Sequence, residues 1–527
     1  MMITFIRTFS SSAARRTGSS YMTTTPIFYV NSSPHLGHLY SCLLADAHCR
    51  FSKLKSPKQT FVFSTGTDEH GLKVQQAASK VGVSPNVFCD GISDKFRKLF
   101  DKCDIQYTDF IRTTDDKHKV TVNKVWKSLE ESGSIYKSEY SGWYSVQEEA
   151  FVPDSSLEVR EGVTVSAETG QRLEWTSEDN WMFRLSRYQD QLLAWHRDQR
   201  PVCPDMFRGQ VLAWVNEGLI DLSVSRPRSR LHWGIPVPGD PDQTIYVWID
   251  ALVNYLTVAN YPGPDPWPPT VQVLGKDILK FHAIYWPAML MCLQLPLPQK
   301  LLVHCHWTVD NVKMSKSLGN VVDPNILIDN YSSDGVRYFL LREGVPHSDG
   351  NFSESSMIQL LNLELADTLG NLLNRCASKG VNKEQIIPKY STSFESSSLL
   401  HQDLTNQLNN LRSEVEDCFD QFHFYQGCVH IMTVLRLTNQ FVQEQQPWTL
   451  KSEADQEKLQ SVLSTCFETL RICGILLQPV VPRLSSKLLD KLGVSEDQRS
   501  WEEAKPSVDK QDGKLNQEKT VLFSKIR

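Results

Sequence analysis

The chain changes its hydrophobic rhythm twice. Residues 21–130 alternate short apolar runs with amphipathic ones: TTTPIFYV at 23–30, then LYSCLLADAHCRF at 39–51, then TFVFSTG at 60–66. The first and third read as strands and the second as a helix. VQVLGKDIL (271–279) and LLVHCHWTV (301–309) add two strand candidates. Strands alternating with helices predict an α/β unit with a doubly wound parallel sheet. Between them, residues 131–235 are richer in turns and polar residues, as an insertion would be, and 236–309 resume the sheet. Residues 310–355 lead out of it. From about 356 the period becomes helical, in MIQLLNLELADTLGNLLNRC, DLTNQLNNLRSEVEDCFDQF and QEKLQSVLSTCFETLRICGILL. That predicts a helical bundle to about 490, and 491–527 read as a polar, solvated tail.

Composition narrows the class. The 527 residues are 40% hydrophobic and 22% charged, which fits a soluble globular chain of several domains. No stretch approaches ~20 uninterrupted apolar residues, so no membrane span is expected. The net charge of −6 excludes a generally basic nucleic-acid coat, so any polyanion must be met by local clusters. Of the 12 cysteines no two form a CxxC pair, and none lies between Cys103 and Cys203. Free thiols and no cysteine-based structural zinc are therefore expected. Residues 1–20 carry Arg7, Arg15 and Arg16 among serines and threonines, and the first acidic residue is Asp46. That start reads as a mitochondrial transit peptide, which places the mature chain in the mitochondrial matrix.

Two motifs carry chemistry. Pro34-His35-Leu36-Gly37-His38 follows the first strand, with both imidazoles in one turn at a helix N-terminus. Such a terminus attracts phosphate, and Gly37 permits close approach. Lys313-Met314-Ser315-Lys316-Ser317 follows a later strand. Two lysines three apart, with serines beside them, make a cationic clamp suited to charge building on a triphosphate.

In this order the two motifs resemble the class I aminoacyl-tRNA synthetases. The stretches between them resemble methionyl-tRNA synthetases of the mitochondrial kind, over roughly residues 21–490. The marks are 26–31 (PIFYVN), 66–71 (GTDEHG), 246–255 (YVWIDALVNY), and 275–278 (GKDI) with Phe281 and His282. The resemblance implies a Rossmann-type catalytic domain with a connective insertion, followed by a helical anticodon-binding domain. It implies ATP, with Mg²⁺, at His35, Gly37, His38, Asp277, Lys313, Met314, Ser315, Lys316 and Ser317. His35, His38, Lys313 and Lys316 would stabilise the reacting phosphates. Methionine would be lined by Ile27, Tyr29, Trp248, Ala251, Leu252, Tyr255, Ile278 and His282, with Asp68 taking its ammonium. tRNA-Met would be read by Asp367, Asn371, Arg375 and Trp448.

The residue types agree. Sulfur packs well against aromatic edges. Trp248 and Tyr255 are seven apart, so they share a helical face on which Ala251 leaves space. Many relatives have Ala-Pro where this chain has Ala251-Leu252, which alters one pocket wall. Residues 140–149 lack the cysteine knuckle that many relatives carry in the insertion. Asp367, Asn371 and Arg375 are spaced by four, and Trp448 offers a stacking face for an unpaired base. A small nucleotidylyltransferase would share the first motif but not the length or the bundle. A catalytically dead RNA-binding relative would not be expected to keep both motifs. No further tRNA-binding or dimerising domain is seen after 490, so a monomer is expected.

Overall fold

The computed structural model describes residues 20–527 except 146–149, 153–155, 161, 168–169, 264–265, 315–318, 391–397, 508–511 and 519, and only the backbone of Tyr140, Ala150 and Lys313. The expected leader, but for residue 20, lies outside the described residues.

Seven strands form one parallel sheet. From one edge the order is Val202–Cys203, Lys300–His304, Val271–Gly275, Tyr21–Thr24, Phe61–Asp68 and Asp109–Arg112, every pair parallel. Phe28–Tyr29 resumes pairing with the upper end of Phe61–Asp68, with Tyr29 opposite Asp68. Pro26, which has no N–H to donate, lies in the break between the two short strands. The order reverses between Tyr21–Thr24 and Val271–Gly275, and that crevice is where open α/β sheets bind ligands. Phe61–Asp68 and Asp109–Arg112 approach so closely that a Cβ on Gly66 would lie 2.0 Å from the Ile111 carbonyl oxygen. Only glycine fits there.

The helix Leu36–Lys55 leaves the crevice and is buried on nearly all sides, with thirteen of its residues inside. A helix apolar all round must be covered all round. The sheet covers one side. The helical half covers another, with Trp501 and Phe419 packing edge-on to Phe51 at 4.7 and 5.5 Å. One hydrophobic core therefore runs from Phe63 and Val273 through this helix to Leu404 and Ile472 of the bundle. A second joins Leu274 and Val303 to Leu252 and Tyr255, and to Leu192 and Val211.

Fully buried Arg337 ties the halves together. Its guanidinium meets Asp46 of the Leu36–Lys55 helix at 2.7 Å and donates to the carbonyls of Val480 and Pro479 at 2.9 and 3.0 Å. A buried charge persists only when paired and hydrogen-bonded in this way.

Within 131–235, Ile135–Ser145 and Glu174–Phe183 form a long antiparallel ribbon in a four-stranded sheet. The chain then returns to the parallel sheet at Val202–Cys203. Ser225–Pro227, Pro236–Val237 and Asp240–Ile245 form a further small sheet across position 235. The bundle comprises Leu399–Asp420, Phe424–Gln445, Gln456–Leu476 and Pro482–Lys491. Residues 491–527 differ from the solvated tail expected of them. Trp501 is fully buried, Gly513–Lys514 pairs with Ile386–Ile387, and Asn362 exchanges two hydrogen bonds with Ile526. A few apolar anchors suffice to hold an otherwise polar segment. Among the described residues no helix is long and apolar enough to cross a membrane.

Candidate functional site

The Leu36–Lys55 helix begins at the sheet's crevice, and its first turn is closed by two histidines. His35 is the N-cap; its Nδ1 accepts from the Gly37 N–H at 3.1 Å. His38 Nδ1 accepts from the His35 N–H at 3.1 Å, and the rings stack 3.7 Å apart. This is a capping box built from imidazoles instead of a hydroxyl and a carboxylate. Each neutral ring, accepting at Nδ1, carries its proton on Nε2, so Nε2–H is the donor it offers to a ligand. His38 keeps an exposed edge, but burial of most of the ring, with His35 beside it, lowers its pKa well below the usual imidazole value. A Cβ on Gly37 would come within 3.0 Å of the His35 ring, so glycine here keeps the cap intact.

The neighbouring strand ends in two further histidines. His304 Nδ1 donates to the Cys305 carbonyl at 2.8 Å, and its Nε2 accepts from the Ser41 hydroxyl at 2.7 Å. Burial lowers the pKa of His304 to about 4, so it is neutral. His306 contacts Asp277 at 3.2 Å, which sets Asp277 at the mouth of the crevice. A Cβ on Gly275 would lie 2.6 Å from the Asp277 carboxylate, so a larger residue there would displace that side chain. His304 and His306 were legible in LLVHCHWTV, where a strand end carries two imidazoles. The lysine motif follows on a hairpin: Val312–Lys313 pairs with Trp307–Val309, and Met314 is half-buried. Ser315, Lys316 and Ser317 lie outside the described residues, as does the Lys313 side chain.

The residues expected around methionine fall into two groups. At the strand end, Tyr29 lies opposite Asp68, Ile27 is buried, and Phe28 packs edge-on to His38 at 5.2 Å. The second group sits on Val247–Val258 and the turns after Val271–Gly275. Trp248 stacks on Phe281 at 3.7 Å, while Ala251 and Leu252 are buried. His282 Nδ1 donates to the Ile278 carbonyl at 3.0 Å, and its Nε2 accepts from the Tyr255 hydroxyl at 2.8 Å. Burial lowers the His282 pKa to about 4, so the ring is neutral. His282 lies in a π-helical turn, Phe281–Tyr285, a geometry frequent at functional sites. Phe281 marked the resemblance in the sequence but was not placed in the pocket, because nothing beyond its apolar character points there.

Glu69 follows Asp68 and is clamped by Arg112 at 2.7 and 2.9 Å. His70 then donates to Asp250 at 2.6 Å, which joins the two groups.

On the helical half, Asp367, Asn371, Arg375 and Trp448 come together. Asn371 donates to Asp367 at 3.3 Å, and the Arg375 guanidinium lies 5.3 Å over the Trp448 ring. Trp448 is 37% exposed and therefore not a core anchor. Lys525 also reaches Asp367, at 2.7 Å.

Similarity to known proteins agrees with this geometry. The family described as class I tRNA synthetases of the methionine type matches residues 21–377, and the anticodon-binding domain of methionyl-tRNA ligases matches 387–527. The human mitochondrial methionine–tRNA ligase is 48% identical over 500 residues, spanning 90% of this chain and 84% of its own. The probable mitochondrial enzyme of Dictyostelium discoideum is 40% identical over 94% of this chain and 90% of its own. The Mycobacterium tuberculosis methionyl-tRNA synthetase solved with methionyl-adenylate superposes with a TM-score of 0.90 at 37% identity, covering 96% of this chain and 99% of that one. With the paired histidines at the crevice and the helical half behind them, these matches place the chain among the class I methionyl-tRNA synthetases.

Proposed function

We propose that the chain activates L-methionine with ATP and charges tRNA-Met in the mitochondrial matrix, using the residues of the crevice as follows. The methionine carboxylate attacks the α-phosphorus of ATP, a P–O bond to pyrophosphate breaks, and methionyl-adenylate forms. The terminal ribose hydroxyl of the tRNA then attacks the adenylate carbonyl and AMP leaves. No side chain need act as nucleophile. Catalysis rests on positioning and on stabilising charge as it develops.

The observation that carries this reading is the reciprocal imidazole cap at the sheet's switch point. It turns the Nε2–H of His35 and His38 into donors with the helix N-terminus behind them. Lys313 and Lys316 supply charge to the leaving pyrophosphate, and Met314, Ser315 and Ser317 join them in binding ATP. Gly37 admits the phosphates, and Asp277 takes the ribose. Asp68 pairs with the ammonium. Ile27, Tyr29, Trp248, Ala251, Leu252, Tyr255, Ile278 and His282 enclose the thioether. Asp367, Asn371, Arg375 and Trp448 read the anticodon.

Among the described residues no group of three or more His, Cys, Asp or Glu side chains is arranged to hold a metal. In this reading Mg²⁺ enters on the triphosphate, where it offsets phosphate charge, and no structural zinc is held. The enzyme acts as a monomer. Methionine-dependent ATP–pyrophosphate exchange tests the assignment; no exchange with methionine, or equal exchange with leucine, would refute it.

A further inference from the structure

The two halves of the methionine site lie on different elements. Asp68 ends a strand of the parallel sheet, whereas Trp248, Ala251 and Tyr255 ride on the helix Val247–Val258. An amino acid bound between them needs its ammonium and its side chain held at a set separation.

Asp250 lies between Trp248 and Ala251 in sequence but turns its side chain inward, where it is 1% exposed. One carboxylate oxygen accepts from His70 Nδ1 at 2.6 Å, and the other from His118 Nε2 at 2.7 Å. His118 Nδ1 lies 2.9 Å from the Thr257 hydroxyl, which returns the chain of contacts to the same helix two turns on. Burial works against the Asp250 charge, yet His70 and His118 hold its pKa down at about 2. A carboxylate in such a place is expensive unless fully paired.

His70 sits two residues after Asp68, and everything around it is pinned. Its ring packs edge-on to Trp233 at 5.5 Å. The Trp233 indole N–H donates to the Glu69 carbonyl at 2.6 Å, and the Gly71 N–H donates to the Trp233 carbonyl at 3.0 Å. On the far side Arg112 clamps the Glu69 carboxylate. The loop is thus fastened to the parallel sheet by Arg112, to the connection between the first two strands of the small sheet by Trp233, and to the pocket helix by Asp250.

We propose that Asp250 is a positioning residue for methionine: through His70 it fixes the Asp68 loop against the Trp248 helix and so sets the distance between the ammonium and thioether subsites. The inference rests on the methionine site as assigned above. It makes the buried carboxylate a spacer for substrate and not a ligand to it.

Asp250→Asn in the full-length enzyme should raise the methionine KM in pyrophosphate exchange by about tenfold or more, while the ATP KM moves less than about twofold. His70→Leu should do the same. His70→Asn places an amide N–H where the imidazole Nδ1–H donates, and should bring the methionine KM back toward the parent value. A competitive inhibitor that keeps the thioether chain but lacks the amine should bind parent and Asp250→Asn equally, because it spans only one subsite. A merely structural Asp250 predicts a lower melting temperature with the methionine KM, the ATP KM and the inhibitor constant unchanged or shifted together; that result overturns the proposal. If Asp250→Asn does not fold, His70→Leu against His70→Asn decides alone: equal methionine KM values for the two would overturn it. Asp68→Asn separates this inference from the reading beneath it. No change in methionine KM there refutes the site itself. A large change there with none in the His70 and Asp250 variants refutes only the spacer.

Discussion

Replacing Trp448 by alanine isolates the tRNA step from the chemistry of activation. Trp448 follows Pro447 and keeps 37% of its surface exposed, while Arg375 covers one face of its ring at 5.3 Å and donates to Gln443 at 3.1 Å. Removing the ring costs the fold a partly exposed cation–π contact, about 0.5–1 kcal/mol. It costs the complex a stacking platform, about 1–3 kcal/mol per base, or roughly 5- to 150-fold in affinity. The kcat/KM for aminoacylation of tRNA-Met should fall by a factor in that range. Methionine-dependent pyrophosphate exchange should stay within about twofold, since the ring touches neither the capped helix nor the Trp248 helix. Arg375→Ala should lose less in the Trp448→Ala background than alone, because the two side chains act as one stacked unit. Charging assays, exchange assays and melting curves on the same preparations decide it. A parallel fall in both reactions with a melting point lowered by several degrees would show that the ring holds the bundle together, and the anticodon role would fail.

Lys316→Ala should reduce the rate of adenylate formation by about 10²–10³ with little change in methionine KM, since its charge meets phosphate most strongly in the transition state; unchanged single-turnover rates would remove it from the mechanism. Acid should destabilise the fold through its buried neutral histidines. Burial lowers His282 and His304 to about 4 and His48 to about 3, against 6.5 for an exposed ring. The unfolded chain takes up these protons below about pH 6.5 and the fold does not, so this stability is intact above that pH. It is lost as pH falls toward 4, at roughly 3 kcal/mol per histidine. Urea midpoints that are flat between pH 7 and 4.5 would contradict the neutral assignments. Elemental analysis should find less than about 0.1 zinc per chain; one tightly held zinc would overturn the zinc-free reading of the insertion.

What the sequence disclosed was what is local in it. His35, Gly37 and His38 sit within one turn, so their spacing points to the helix N-terminus that they cap. The Trp248 and Tyr255 stripe is legible because a helix repeats. The His70–Asp250–His118 cluster is not, because Asp250 lies 180 residues from His70 and 132 from His118, and nothing within any one segment points to the others. The strand Val202–Cys203 is two residues long, too short for any alternation to show. In residues 491–527 the anchors Trp501, Leu515 and Leu522 are scattered among charges, so the polar average concealed a packed segment. Asp367 was placed by an α-helical spacing of four, but it lies in the π-helical stretch Asn362–Gly370, whose wider turn shifts its angle relative to Asn371.

The short strand Val202–Cys203 bears on how this enzyme can be cut. It caps the edge of the parallel sheet, with the Leu301 N–H donating to the Pro201 carbonyl at 2.8 Å. A variant pared down by deleting all of residues 131–235 would remove Val202–Cys203 and leave Lys300–His304 with a bare row of backbone donors and acceptors. Its apolar Leu301, Leu302 and Val303 would then stand at an open margin, a template for pairing with other chains. Only the outer ribbon, Ile135–Ser145 with Glu174–Phe183, is therefore a candidate for removal or for grafting a foreign loop. A minimal enzyme that keeps residues 185–216 should stay in solution, and one that discards them should precipitate during refolding.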